Sequence, residues 1–212
     1  MIKSSENISI RKIRKIYSEQ QSAIHNRLTA FARIKPSEYF YELAYCLLTP
    51  QSSAVNSDKV ITILKEKKFE IRDIDPELIL RSKDCYIRFH KNKSSYLITL
   101  KNQFPFIAEH ISKISSSTEL RQWLVMNVRG LGWKESSHFL RNIGFRNLAI
   151  LDRHILRNLL RFRVIYELPN TLTAKNYLKI EEKFLKFSKR VRIPMDELDL
   201  LFWSIETGEI LK

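Results

Sequence analysis

From near the start of this chain to near its end, apolar residues recur three and four positions apart, and only four glycines and six prolines interrupt the 212 residues. Strict alternation would mark half-buried strands, whereas the three-and-four spacing marks one face of a helix. An all-α fold is therefore expected, with helices at 8–31, 37–48, 51–67, 76–83, 91–103, 106–113, 118–128, 134–143, 153–163, 174–190 and 195–207. Proline lacks an amide hydrogen and suits a helix's first turn, so Pro36, Pro50, Pro76, Pro105, Pro169 and Pro194 are read as punctuation at helix starts. The stretch "YELPNTLT", 166–173, is read as the long loop.

Hydrophobic residues make up 44% of the chain, enough to build a core, and this length gives room for one or two compact subdomains. No apolar run approaches the roughly 18 to 20 residues that a membrane-spanning helix needs. The first twenty residues are charged throughout and lack the apolar region of a signal peptide. An intracellular protein with no membrane contact is expected. Cys46 and Cys85 are too few for a disulfide framework, a four-ligand zinc site or an iron–sulfur cluster, so neither metal nor cofactor is expected. The net charge of +14 points to a polyanionic partner, nucleic acid first; a generally lysine-rich host proteome is the alternative.

Two of the four glycines flank a single leucine in "VRGLGWKESSHF", 128–139. The preceding segment carries Leu120, Trp123, Leu124 and Val128 on one face, and the following one carries Phe139, Leu140 and Ile143. Two helices joined by a Gly-x-Gly turn form a helix-hairpin-helix. Gly130 and Gly132 are expected to allow positive φ and let a phosphate approach the backbone, next to Arg129 and the second helix's N-terminus. A plain helix–helix corner, with glycines that only end a helix, is the competing reading.

Lys134 follows at once, in or next to the first turn of the second helix, where the macrodipole disfavours a cation. Lysine is the wrong residue there for stability. It makes sense as a nucleophile, because burial, a helix N-terminus and nearby arginines are the surroundings that favour a neutral amine. Asp152 comes eighteen residues later in "LAILDRHIL", where it is also a good helix N-cap. Between 129 and 163 there are eight basic residues against two acids. Arg153, Arg157 and Arg161 fall four apart on one stripe, opposite an apolar side of Ile155, Leu156, Leu159 and Leu160.

Hairpin, lysine and aspartate in this order resemble the helix-hairpin-helix DNA glycosylase superfamily, and "GLGWKESSHFLRNIGFRNLAILDRHIL" is most similar to the small archaeal-type 8-oxoguanine DNA glycosylase/AP lyases of the second class. The resemblance extends over nearly the whole chain. Two departures are the absence of a proline between Gly144 and Asp152 and of the four-cysteine cluster found in some branches. The resemblance implies two helical subdomains with a DNA- and base-binding cleft between them, one formed by 1–30 with 145–212 and the other by 31–144 carrying the hairpin. It implies a monomer acting on double-stranded DNA that contains a damaged base. Lys134 would attack C1′ of a flipped nucleotide, and Asp152 would stabilise the positive charge developing on the sugar. Arg129, Gly130, Gly132, Arg153 and Arg157 would contact the DNA backbone.

Three further roles remain, Gln51, Trp203 and Lys212 taking theirs from the same resemblance and Phe89 its own from being an aromatic among basic residues in "YIRFHKNK". In "LLTPQSSA", 47–54, Thr49 would cap and Pro50 begin a helix whose first turn delivers Gln51 into the duplex as a wedge. Phe89 and Trp203 are the candidate base-stacking aromatics, and Lys212 is the candidate that reads N7 of the lesion, through its carboxylate. A non-catalytic DNA-binding module is the alternative from another functional class, and an oxidised pyrimidine or a mismatch is the alternative substrate.

Overall fold

A computed structural model describes residues 9–210. Helices and turns account for all regular structure among the described residues, which contain no strand. The ten α-helices are α1 (Ile10–Ala32), α2 (Tyr39–Leu48), α3 (Ala54–Glu66), α4 (Pro76–Leu80), α5 (His90–Lys113), α6 (Ser117–Asn127), α7 (Trp133–Asn142), α8 (Arg153–Arg161), α9 (Ala174–Val191) and α10 (Met195–Thr207). None is long and apolar enough to cross a membrane.

Local chemistry sets most of the ends. Ser9, Ser53, Ser116 and Thr173 each accept a hydrogen bond from the backbone N–H three residues on, which satisfies a donor that the first turn leaves unpaired. Pro36 and Pro76 open their helical turns as expected. Three prolines do not, Pro169 lying in the loop before the Thr173 cap of α9. Pro50 begins no helix: α3 starts only at Ala54, because the Ser53 side chain supplies a cap that Thr49 does not, the Thr49 hydroxyl donating back to Cys46 O. Pro105 lies inside α5, which runs unbroken through both of the helices expected there. Pro105 is itself exposed, while Leu97, Leu100, Ile107 and Ile111 keep one buried face on both sides of it. Tertiary burial overrides the local break.

The chain divides into two compact units, one formed by the chain's two ends through Arg33 and from Leu140, the other by Ile34–Phe139. In the unit of the chain ends, Phe202 is fully buried and its ring stacks with Phe162 at 5.6 Å and Phe184 at 6.0 Å. In the central unit, Phe40 meets Phe104 edge-on at 5.2 Å, above a core that includes Leu43, Leu47, Val60 and Leu64. Burying one such ring is worth about 2–3 kcal/mol.

Candidate active site

In the central unit, α6 and α7 are joined by residues 128–132. Gly130 has φ +91°, a conformation that L side chains rarely adopt, and a Cβ added there would lie 2.6 Å from the Tyr96 ring. Glycine is thus required twice over at that position. Gly132 differs from the expectation that both glycines take positive φ. It lies outside the left-handed region and acts as the cap of α7, its carbonyl accepting from Ser136 N at 3.0 Å. Arg129 is exposed, with its guanidinium 5.6 Å from the centre of the same Tyr96 ring.

Lys134 is the second residue of α7 and Glu135 the third. The acid therefore stands where the helix dipole favours it and the lysine where it does not. Lys134 Nζ lies 3.0 Å from Glu135 Oε1, with the side chains 29% and 14% exposed. Glu135 is a partner that sequence reasoning counted only as a charge.

Beside this turn lies a second lysine that sequence reasoning missed. Lys93, on α5, is 4% exposed, and its Nζ donates to Leu48 O at 2.6 Å, Pro50 O at 2.7 Å and Ser52 Oγ at 3.0 Å. Burial pushes its ammonium down to about 8, with Lys134 adding to the shift and Glu135 opposing it. Its position was visible in principle, since Lys93 stands in register with Leu97 and Leu100 on the apolar face of α5.

Gln51 is exposed but lies in no helix. It has φ +54° in the turn before α3, which corrects the expectation that it stands in a helix's first turn. Phe89 is half exposed at φ +60°, immediately before α5, with the Arg88 guanidinium 4.8 Å from its ring centre.

In the unit of the chain ends, Asp152 is the N-cap of α8. Its Oδ1 accepts from His154 N and Ile155 N, both at 2.8 Å, and its Oδ2 accepts from Trp203 Nε1 at 3.0 Å. Trp203 is thereby tied to the aspartate by its polar edge, while its neighbour Phe202 belongs to the core. Asp199, one turn before Trp203 on α10, is buried and pairs with the Arg141 guanidinium at 3.1 Å. Burial outweighs that cation, and with Asp152 and Asp196 adding repulsion the Asp199 carboxyl is pushed up to about 7.

The arginine stripe on α8 is not uniform. Arg153 and Arg157 are exposed, whereas Arg161 is mostly buried and donates to Glu206 and Asn158. Arg161 thus serves its own unit. Lys212 lies outside the described residues.

An all-helical chain with a left-handed glycine in a hairpin and a lysine directly behind it has the form of a helix-hairpin-helix protein. The sequence profile of the 8-oxoguanine DNA glycosylase family matches residues 10–193, and the chain belongs to that family. A relative from Fusobacterium nucleatum, described as an 8-oxoguanine DNA glycosylase/AP lyase, is 44% identical over 98% of this chain and 99% of its own length. A relative of the same description from Methanocaldococcus jannaschii is 34% identical over 96% of this chain and 99% of its own. The crystal structure of the M. jannaschii 8-oxoguanine glycosylase/lyase, in complex with DNA containing 8-oxoguanine, superposes with a TM-score of 0.86 at 31% identity, covering 96% of this chain and 99% of that one. The Thermotoga maritima 8-oxoguanine DNA glycosylase superposes with a TM-score of 0.85 at 27% identity, covering 96% and 98%.

Proposed function

We propose that this protein binds DNA, removes 8-oxoguanine and then breaks the strand at the resulting site, with Lys134 as the nucleophile. The observation that carries the residue assignment is Lys134 itself: a lysine held where its own helix dipole repels it, directly behind the hairpin turn. Attack requires the amine to leave its pair with Glu135 and to surrender its proton. The nitrogen then forms a bond to C1′ of the extruded nucleotide as the bond from C1′ to the base breaks, and the base departs with a proton. Opening of the sugar ring gives an imine. Loss of a proton from C2′ expels the 3′ phosphate with the electron pair of the C3′–O bond, and water finally releases the lysine.

Asp152 contributes a carboxylate to the positive charge that develops on the sugar, and its bond to Trp203 fixes its direction. Gly130, Gly132 and Arg129 meet phosphate at the hairpin, as do the exposed Arg153 and Arg157 on α8. Gln51 enters the duplex where the base has left, and Phe89 and Trp203 offer aromatic faces to bases. Borohydride reduction on DNA carrying one 8-oxoguanine tests the reading. A covalent protein–DNA adduct is expected from the native protein and none from Lys134→Ala. Failure of the native protein to form an adduct or to release the base would defeat the proposed activity.

A further inference from the structure

A charged group taken out of water needs a reason to be there, and an apolar side chain of similar volume commonly serves stability as well or better. Lys93 is such a group. All three hydrogen bonds from its ammonium end on residues 48–52, at Leu48 O, Pro50 O and Ser52 Oγ. Leu48 is the last residue of α2, so the cation also meets carbonyl oxygen at a helix C-terminus, where the dipole welcomes it.

Between these anchor points lies Gln51, left-handed and exposed. The network then continues to a second left-handed residue. Ser52 Oγ accepts from Arg88 N at 3.1 Å, and the next residue is Phe89. A further tie joins the same two segments, Asn56 Nδ2 donating to Tyr86 O at 3.1 Å. Left-handed conformations at residues other than glycine are strained and persist only where the surroundings over-determine them. Here one buried ammonium and one serine hydroxyl link both strained turns.

We infer that Lys93 is a positioning residue, which through Ser52 holds the Gln51 turn and the Phe89 turn as one rigid edge for entry into the DNA duplex. The inference rests on the reading above that Gln51 and Phe89 meet DNA. A clamp of this kind acts on extrusion of the lesion, because a displaced wedge no longer fills the space that the base vacates. Misplacing a group by as little as an ångström can lower a rate about 100-fold.

Lys93→Met and Ser52→Ala test it by two readouts. Amide hydrogen exchange needs no activity: in Lys93→Met, residues 49–53 and 86–89 should exchange faster together, while the core of α9 and α10 is unchanged. Single-turnover excision should fall about tenfold or more on a fully paired 8-oxoguanine duplex, and stay within about threefold of native on the same lesion left unpaired, where extrusion costs little. Combining Lys93→Met with Gln51→Ala should be no worse than the worse single change, as for residues acting through one element. Equal losses on paired and unpaired lesions, or exchange confined to one segment, would overturn the clamp. Should Lys93→Met fail to fold, Ser52→Ala decides: it should loosen residues 86–89 and show the same paired-to-unpaired asymmetry at smaller size, and an unchanged protein refutes the link. A native protein that neither excises nor traps defeats the function, while the exchange result still decides the clamp.

Discussion

The surroundings of Lys134 and those of Asp152 differ in how they treat the local rules of helix chemistry. Around Lys134 the rules are broken: a cation stands in the first turn of α7, and Lys93 is buried with its charge. Around Asp152 they are obeyed, since an acid caps α8 with two backbone donors and receives an indole N–H besides. A residue that contradicts its local structure invites a functional reading. One that also satisfies its local structure conceals it, and its second role shows only in what else it touches. Four experiments separate the two cases.

Lys134→Gln is expected to have the largest effect. Trapping and base release should vanish, yet the protein should be no less stable, because removing a cation from the first turn relieves a repulsion worth about 0.3–1 kcal/mol. Affinity for lesion DNA should largely persist, since most phosphate contacts remain. Unchanged strand cleavage by a pure preparation would refute the assignment, and a large drop in melting temperature would refute the claim that the lysine opposes its own helix.

Asp152→Asn should lower turnover by orders of magnitude while the fold survives, because the amide oxygen still caps α8. Asp152→Ala should add a stability loss of about 1 kcal/mol from the missing cap. Normal turnover in the asparagine variant, read in single-turnover kinetics, would reduce Asp152 to a cap and erase the contrast with Lys134.

The arginines of α8 sharpen the same distinction between structural and functional placement. Neutralising Arg153 or Arg157 should weaken damaged and undamaged duplexes alike and reduce the salt dependence of binding by about one unit of slope. Neutralising Arg161, which is committed to Glu206, should leave the slope intact and cost stability instead. Equal slopes for native protein and all three variants would mean that the exposed pair is merely solvated.

The smallest effect is expected from Asp199. Its carboxyl, near 3.8 when unperturbed, is held up at about 7 in the folded protein. The folded state therefore binds this proton more tightly than the unfolded state does. The associated stability is fully present below about pH 4 and is lost as pH rises toward 7. Asp199→Asn should flatten this part of the stability profile, measured by denaturant unfolding between pH 4 and 7. An identical profile in the variant would show that Arg141 keeps the carboxylate ionised.

The amino-acid sequence by itself determined the helical class, because the three-and-four spacing of apolar residues leaves a helix one face to bury and gives a strand none. It also marked the hairpin and its lysine, since a Gly-x-Gly turn followed by a cation is a conflict written in adjacent residues. Asp152 was legible as a cap, and the resemblance assigned it a chemical role. What only the tertiary structure decided depends on partners far apart in the chain. Pro105 is carried through α5 by burial on both sides of it, and Trp203 reaches Asp152 from 51 residues away. The buried cation of Lys93 belongs to the same kind: its three acceptors lie 41 to 45 residues upstream, a separation at which no local propensity operates and only packing brings the oxygens together.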